Sequence, residues 1–72
     1  MIHKVDARGL ACPQPVLLTM EVIRSTSDSA IEILVDNEAS RENVSRAAVT
    51  QGWKVDRSDE LGEDFRILIK KT

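Results

Sequence analysis

The sequence contains one thiol, Cys12, at the start of the run Cys12-Pro13-Gln14-Pro15. Proline is tolerated in the first turn of a helix, where a backbone N–H has no intrahelical partner. The run therefore predicts a helix start with Cys12 as N-cap and Pro13 at the first helical position, both prolines shaping the turn rather than filling the core. A thiol at a helix N-terminus lies at the positive end of the helix dipole, which favours the thiolate. This predicts a reactive cysteine; the alternative is that Cys12 is a small buried hydrophobic residue.

The residues near Cys12 limit the chemistry open to it. No asparagine, histidine or second cysteine lies close to it in the sequence, and the one histidine, His3, is at the start of the chain. This disfavours a cysteine–histidine hydrolase. One thiol and one histidine also cannot supply the ligands of an ordinary zinc site, so we predict no metal and no cofactor. A lone nucleophilic sulfur can still accept a sulfur atom as a persulfide and hand it to a partner's thiol.

Length and charge exclude several classes of protein. Residues 1–72 are expected to form one domain, because so short a chain cannot build two cores. The chain ends right after its last predicted strand, which leaves room for a further domain downstream. Ten Lys and Arg against twelve Asp and Glu give a net charge of −2, which creates no positive field for nucleic acid. No apolar stretch could span a bilayer, and the start lacks the apolar region of a signal peptide. With its free thiol, the chain is predicted to be a cytoplasmic monomer with no membrane or direct nucleic-acid partner.

The pattern of apolar residues predicts a small α/β fold around this cysteine. Alternating apolar and polar residues predict four strands, and apolar positions three and four residues apart predict two helices. The order β-α-β-α-β-β implies a two-layer α/β sandwich, with a mixed four-stranded sheet and two helices on one face. The first predicted strand ends before Arg8, and the first helix follows its N-cap Cys12 and runs to about Arg24. A strand over residues 31–35 comes next, followed by a helix that Asp36 or Asn37 caps and that ends at Gly52. Two further strands are joined by a loop over residues 58–62.

The first predicted helix carries two apolar stripes, and only one can face the sheet. At about 100° per residue, Val16, Met20 and Ile23 cluster together, whereas Leu18 and Val22 lie roughly opposite. We expect the first set to be core. Leu18 and Val22 would then form an exposed apolar pair where a donor or acceptor protein docks; the alternative is that a neighbouring loop or the second helix covers them.

The run Asp-x-x-Gly-Leu-x-Cys-Pro-x-Pro, which begins at Asp6, resembles the signature of the TusA, SirA and YedF family of small sulfur-carrier proteins. Its Cys-Pro-x-Pro (CPxP) motif lies in the strand–turn–helix context of that family, and the predicted element order is similar over essentially the whole chain. The resemblance implies that Cys12 bears a persulfide. It also implies that Pro13 and Pro15 shape the helix start, and that Asp6 and Gly9 build the preceding turn.

In this family, sulfur usually arrives from a cysteine desulfurase and leaves toward tRNA thiolation, cofactor synthesis or other sulfur pathways. The segment over residues 36–46 is more similar to the YedF branch, which implies a link to selenium metabolism. Ala11 stands where the tRNA-thiolation branch usually has a basic residue. The resemblance implies a sulfurtransferase that carries sulfur from a cysteine desulfurase or other donor to a downstream acceptor protein.

A second class of function stays open. The same architecture serves non-catalytic interaction or regulatory modules, including RNA-binding ones, and a fold alone does not fix function. The acidic charge balance and the lack of a basic patch disfavour nucleic acid, whereas a thiol at a helix start favours the carrier.

Overall fold

The computed structural model describes residues 2–10 and 14–71. The four strands form one sheet in the order β1-β2-β4-β3, in which β1 and β2 are parallel and the other neighbours are antiparallel. The predicted α/β fold with a mixed four-stranded sheet is confirmed. The elements are β1 (Ile2–Asp6), α1 (Gln14–Ser25), β2 (Ala30–Val35), α2 (Glu38–Thr50), β3 (Trp53–Leu61) and β4 (Asp64–Lys71).

The core lies between the two helices and one face of the sheet. Side chains alternate between the two faces of a strand, so every second residue of the central strands β2 and β4 points at the helices. Ile31 pairs with Ile69 and Ile33 pairs with Ile67, and all four side chains are fully buried. Side chains from both helices pack against this cluster, which places the helices on the same face of the sheet.

The other face of the sheet carries charged residues. Arg66 on β4 places Nε 3.8 Å from Glu32 Oε1 of β2 and Nη2 3.2 Å from Asp59 Oδ2 of β3. Lys70 Nζ lies 3.6 Å from Asp56 Oδ2. An antiparallel sheet tolerates one solvated face, and exposed ion pairs of this kind add little to stability. This face therefore needs no second layer of helices.

The hairpin is longer than the sequence predicted. Residues 58–62 were expected to form a loop, whereas β3 continues to Leu61 and only Gly62 and Glu63 separate it from β4. The expectation failed because β3 is an edge strand whose polar residues face solvent, and because Gly62, with a φ of +68°, allows a two-residue turn. A β-bulge between Val55 and Arg57 shifts the alternation of side chains along β3.

The second helix begins as predicted. Asn37 has an extended backbone, and its side-chain oxygen accepts a hydrogen bond from the Ser40 N–H at 2.7 Å, which satisfies one of the free donors of the first turn. Glu38 places a negative charge in the same turn. Among the described residues, no helix combines the length and the apolar character needed to cross a membrane.

The first helix buries a different face from the one predicted. Pro15 and Thr19 are fully buried, and Leu18 and Val22 pack against the core beside them. The expectation that Leu18 and Val22 face outward is therefore wrong, and so is the expectation that Pro15 only shapes the helix start. At about 100° per residue, Pro15, Thr19 and Val22 lie on one line down the helix.

Both predicted stripes of α1 are flanks of this single buried face. Val16 and Ile23 pack on one flank and Leu18 packs on the other, whereas Leu17 points away and is 57% exposed. Sequence reasoning missed the centre of the face because it holds a proline and a threonine. The Thr19 hydroxyl is accommodated there because it donates to the Pro15 carbonyl oxygen at 2.8 Å.

Candidate functional site

The candidate site is the loop between β1 and α1. The loop begins at Ala7, which is fully buried and whose N–H donates to the Leu34 carbonyl oxygen at 2.8 Å, extending the pairing of β1 with β2 by one residue. Leu10 packs against the core at the other end of the described loop. Ala11, Cys12 and Pro13 lie outside the described residues, so the predicted N-cap role of Cys12 and the predicted place of Pro13 stay predictions.

Asp6 and Arg8 close the first turn of the loop. The Asp6 carboxylate accepts hydrogen bonds from the Arg8 backbone N–H at 3.1 Å, from Nε at 2.9 Å and from Nη2 at 2.8 Å. A guanidinium that binds both carboxylate oxygens makes a strong charge-assisted pair. The side-chain hydrogen bond from Arg8 is the main cause that lowers the pKa of Asp6 to about 2, and the same bond raises the pKa of Arg8 above its usual value.

Two further aspartates hold the loop from other elements. Arg8 Nη1 donates to Asp64 Oδ2 at 3.2 Å, and Asp64 is the first residue of β4. The Gly9 N–H donates to Asp36 Oδ2 at 2.7 Å, and Asp36 stands between β2 and α2. The loop is thus tied to three strand ends that the sheet brings to the same side of the molecule.

Gly9 is required by backbone conformation rather than by space. Its φ is +79°, in the left-handed region that is costly for residues with a Cβ, and within the described part of the chain no atom lies within 4 Å of the place where a Cβ would be. The predicted turn at Asp6 and Gly9 is therefore present in the described residues.

Three carboxylates from other elements surround the described part of the loop, which contributes one cation, Arg8. Asp6, Asp36 and Asp64 are set against a single guanidinium, and Arg8 already donates to two of the three carboxylates. Arg8 is the nearest cation to Cys12 in the sequence, yet its guanidinium is already paired with Asp6 and Asp64. Across residues 2–10 and 14–71, no group of three potential ligand side chains could hold a metal ion.

The sequence pointed to some members of this site and missed others. It singled out Asp6, Gly9 and Pro15, which the structure places on the loop and in the first turn of α1. From the sequence, Asp36 is predicted to end a strand or cap the second helix, and Asp64 is predicted to be part of an acidic hairpin tip. The only signal for them was their position at the ends of strands, because their partners lie 27 and 56 residues away in the sequence.

An open groove of about 400 Å³ runs between α1 and α2. Val16, Met20 and Ala47 supply its apolar lining, and Arg46 and Gln51 are among its polar residues. Val16 is four residues after Cys12 in the sequence. Among the described residues of α1, the large apolar side chain that is exposed is Leu17, whereas Val16 and Met20 line this groove and Leu18 and Val22 pack against the core.

Three comparisons with known proteins show what this chain is similar to. The family model described as "Sulfurtransferase TusA" matches residues 3–71. A protein of Methanocaldococcus jannaschii named "Putative sulfur carrier protein" is 35% identical over 71 residues, which cover 97% of this chain and 95% of that protein. The crystal structure of a SirA-like protein from Desulfitobacterium hafniense matches with a TM-score of 0.84 at 27% identity, covering 97% of this chain and 96% of that one.

Proposed function

Because the chain belongs to the TusA family of sulfurtransferases, we propose that it carries sulfur as a persulfide on Cys12 and transfers it to a partner protein. The observation that carries this proposal is the loop directly before Cys12, in which Asp6, Arg8 and Gly9 are fixed by hydrogen bonds to three strand ends. A loop that is held in one conformation suits a thiol that must be presented to several partner proteins in the same position.

The start of α1 supports an anionic sulfur at this place. The helix begins at Gln14, two residues after Cys12, and its first turn contains no acidic residue that would neutralise the positive end of its dipole. Pro15 has no N–H, but the other free N–H groups of the first helical turn favour anions. We therefore expect this helix start to stabilise a thiolate or persulfide anion on Cys12, its predicted N-cap.

The transfer reaction needs no external oxidant or reductant. The Cys12 thiolate attacks the outer sulfur of a donor persulfide, a new S–S bond forms, and the donor cysteine leaves as a thiolate. In the second step an acceptor thiolate attacks the outer sulfur on Cys12. That S–S bond breaks, the electron pair returns to Cys12, and one sulfur atom has moved from donor to acceptor.

The proposal assigns two kinds of protein partner. The donor is a cysteine desulfurase or another persulfide-bearing protein, and the acceptor is a protein thiol in a downstream sulfur pathway, with selenium as a second cargo to be tested. A free thiol in this role requires a reducing compartment, which is consistent with the cytoplasm.

Mass spectrometry tests the proposal directly. After incubation with a cysteine desulfurase and cysteine, the intact protein is expected to gain one sulfur atom, which a thiol reductant removes. The Cys12→Ser variant serves as the control and should gain none. The same adduct on Cys12→Ser, or no adduct on the wild-type chain beside an active desulfurase, would reject the carrier and favour a non-catalytic interaction module.

A further inference from the structure

We propose that Asp36 and Asp64 are positioning residues that fix the loop before Cys12 from two different elements. Their effect on sulfur transfer rests on the proposed function, whereas their effect on the loop rests on the geometry alone. Neither residue belongs to the Asp-x-x-Gly-Leu-x-Cys-Pro-x-Pro run, and both reach it from distant parts of the sequence.

Asp36 fixes the backbone of the loop at Gly9. Its Oδ2 accepts the Gly9 N–H at 2.7 Å, a short distance that is typical of a bond to a charged acceptor. Its Oδ1 accepts from the Asn37 side-chain nitrogen at 3.0 Å, while the Asn37 side-chain oxygen caps α2 through the Ser40 N–H. The start of α2 therefore orients the carboxylate that holds the loop, three residues before Cys12.

Asp64 fixes the loop through Arg8. The strand β2 lies between β1 and β4, so Arg8 reaches past the end of β2 to join Asp6 on one side and Asp64 on the other. Asp64 is paired with Leu61 at the start of the hairpin, which fixes its backbone. Together, Asp36 and Asp64 define where the chain leaves the sheet before residues 11–13.

A positioning role differs from an electrostatic one in what it predicts. These hydrogen bonds are exposed, and exposed ion pairs contribute little to stability, so loss of one anchor should leave the fold intact. Removal of a carboxylate beside the loop would by itself favour an anionic sulfur, whereas a misplaced reacting atom slows transfer. The two roles therefore predict opposite changes in rate.

Charge-matched pairs of variants separate the two roles. Asp36→Asn and Asp36→Ala both remove the charge, but the amide oxygen of asparagine can still accept the Gly9 N–H. Asp64→Asn and Asp64→Ala differ in the same way, because the asparagine oxygen can still accept the hydrogen bond from Arg8. Asp56→Ala is the control, because Asp56 pairs with Lys70 on the far face of the sheet. The measurements are the rate of sulfur transfer, the pH–rate profile of Cys12 alkylation by iodoacetamide, and the urea midpoint.

Each alanine variant is expected to transfer sulfur roughly tenfold more slowly than wild type. Each asparagine variant should recover most of this loss, and Asp56→Ala should match wild type. In the pH–rate profile of Cys12 alkylation, each asparagine variant should likewise lie closer to wild type than its alanine partner. Equal rates for the two members of each pair, or wild-type rates and alkylation profiles in all four variants, would overturn the proposal.

The alkylation assay keeps this proposal distinct from the proposed function. It requires no sulfur donor, so a wild-type chain that takes up no sulfur would reject the carrier while the alkylation profiles still report on the loop. If an alanine variant fails to fold, its asparagine partner is compared with wild type and with Asp56→Ala, and this comparison still separates the two roles. An asparagine variant that reacts faster than wild type favours the electrostatic role and rejects positioning.

Discussion

At the scale of single residues, Arg8 uses its charge to build the loop. Its guanidinium donates to Asp6 at 2.8 and 2.9 Å and to Asp64 at 3.2 Å, so the cation nearest to Cys12 in the sequence already has two carboxylate partners. The proposed function therefore assigns the stabilisation of an anionic sulfur to the predicted helix start rather than to Arg8. Sequence reasoning could find Arg8, but not the residue 56 positions away that shares its charge.

The pairing with Arg8 leads to a prediction for the titration of Asp6. The pKa of Asp6 is lowered from 3.8 to about 2, first by the side-chain hydrogen bond from Arg8. A folded pKa below the unfolded one means that the ionised carboxylate stabilises the fold above about pH 3.8, and that this contribution is lost as the pH falls toward 2. Carboxyl-carbon NMR should therefore show Asp6 titrating near pH 2.

The matched variants for this titration are Arg8→Gln and Arg57→Gln. Arg8→Gln should return the pKa of Asp6 toward 3.8, because the charged donor is gone. Arg57 lies on β3 beside Asp59, so Arg57→Gln should leave the titration of Asp6 unchanged. An Asp6 titration that is the same in wild type and Arg8→Gln would contradict the assignment.

At the scale of elements, the central strands β2 and β4 and the start of α2 were predictable, whereas the extent of β3 and the buried face of α1 were not. Alternating isoleucines reveal β2 and β4 because one face of each is buried, and Asn37 marks the start of α2 by its capping chemistry. In α1 the centre of the buried face is Pro15 and Thr19, which hydropathy does not mark as core. Which flank of such a helix is exposed depends on α2 and the sheet, which periodicity does not describe.

The revised face of α1 changes the result expected from charged substitutions. The double variant Leu18→Glu, Val22→Lys introduces charges at two positions that pack against the core, so we expect a loss of roughly 2 kcal/mol or more in the free energy of unfolding. Leu17→Glu is the matched control on the exposed side and should change stability by no more than about 0.5 kcal/mol. Urea denaturation measures both, and a double variant as stable as Leu17→Glu would restore the exposed-pair interpretation.

At the scale of the whole molecule, the site is a product of topology. The sheet order β1-β2-β4-β3 brings the end of β1, the end of β2 and the start of β4 to one side, and this places Asp36 and Asp64 beside a loop far from them in the sequence. The order of elements could be predicted from local patterns. The contacts between elements could not, because they depend on strand order and on which strand ends coincide.

Two anchors on one short loop should act together rather than independently. Once Asp36→Ala has released Gly9, the remaining bond between Arg8 and Asp64 holds a loop that is already displaced, so its removal should cost less than it does in wild type. Contacting or jointly acting residues show such coupling, whereas distant sites add. In the rate of Cys12 alkylation, the double variant Asp36→Ala, Asp64→Ala should depart from the product of the single effects by roughly twofold or more. Asp36→Ala combined with Asp56→Ala should give the simple product, and a simple product for both pairs would mean that the two aspartates hold the loop separately.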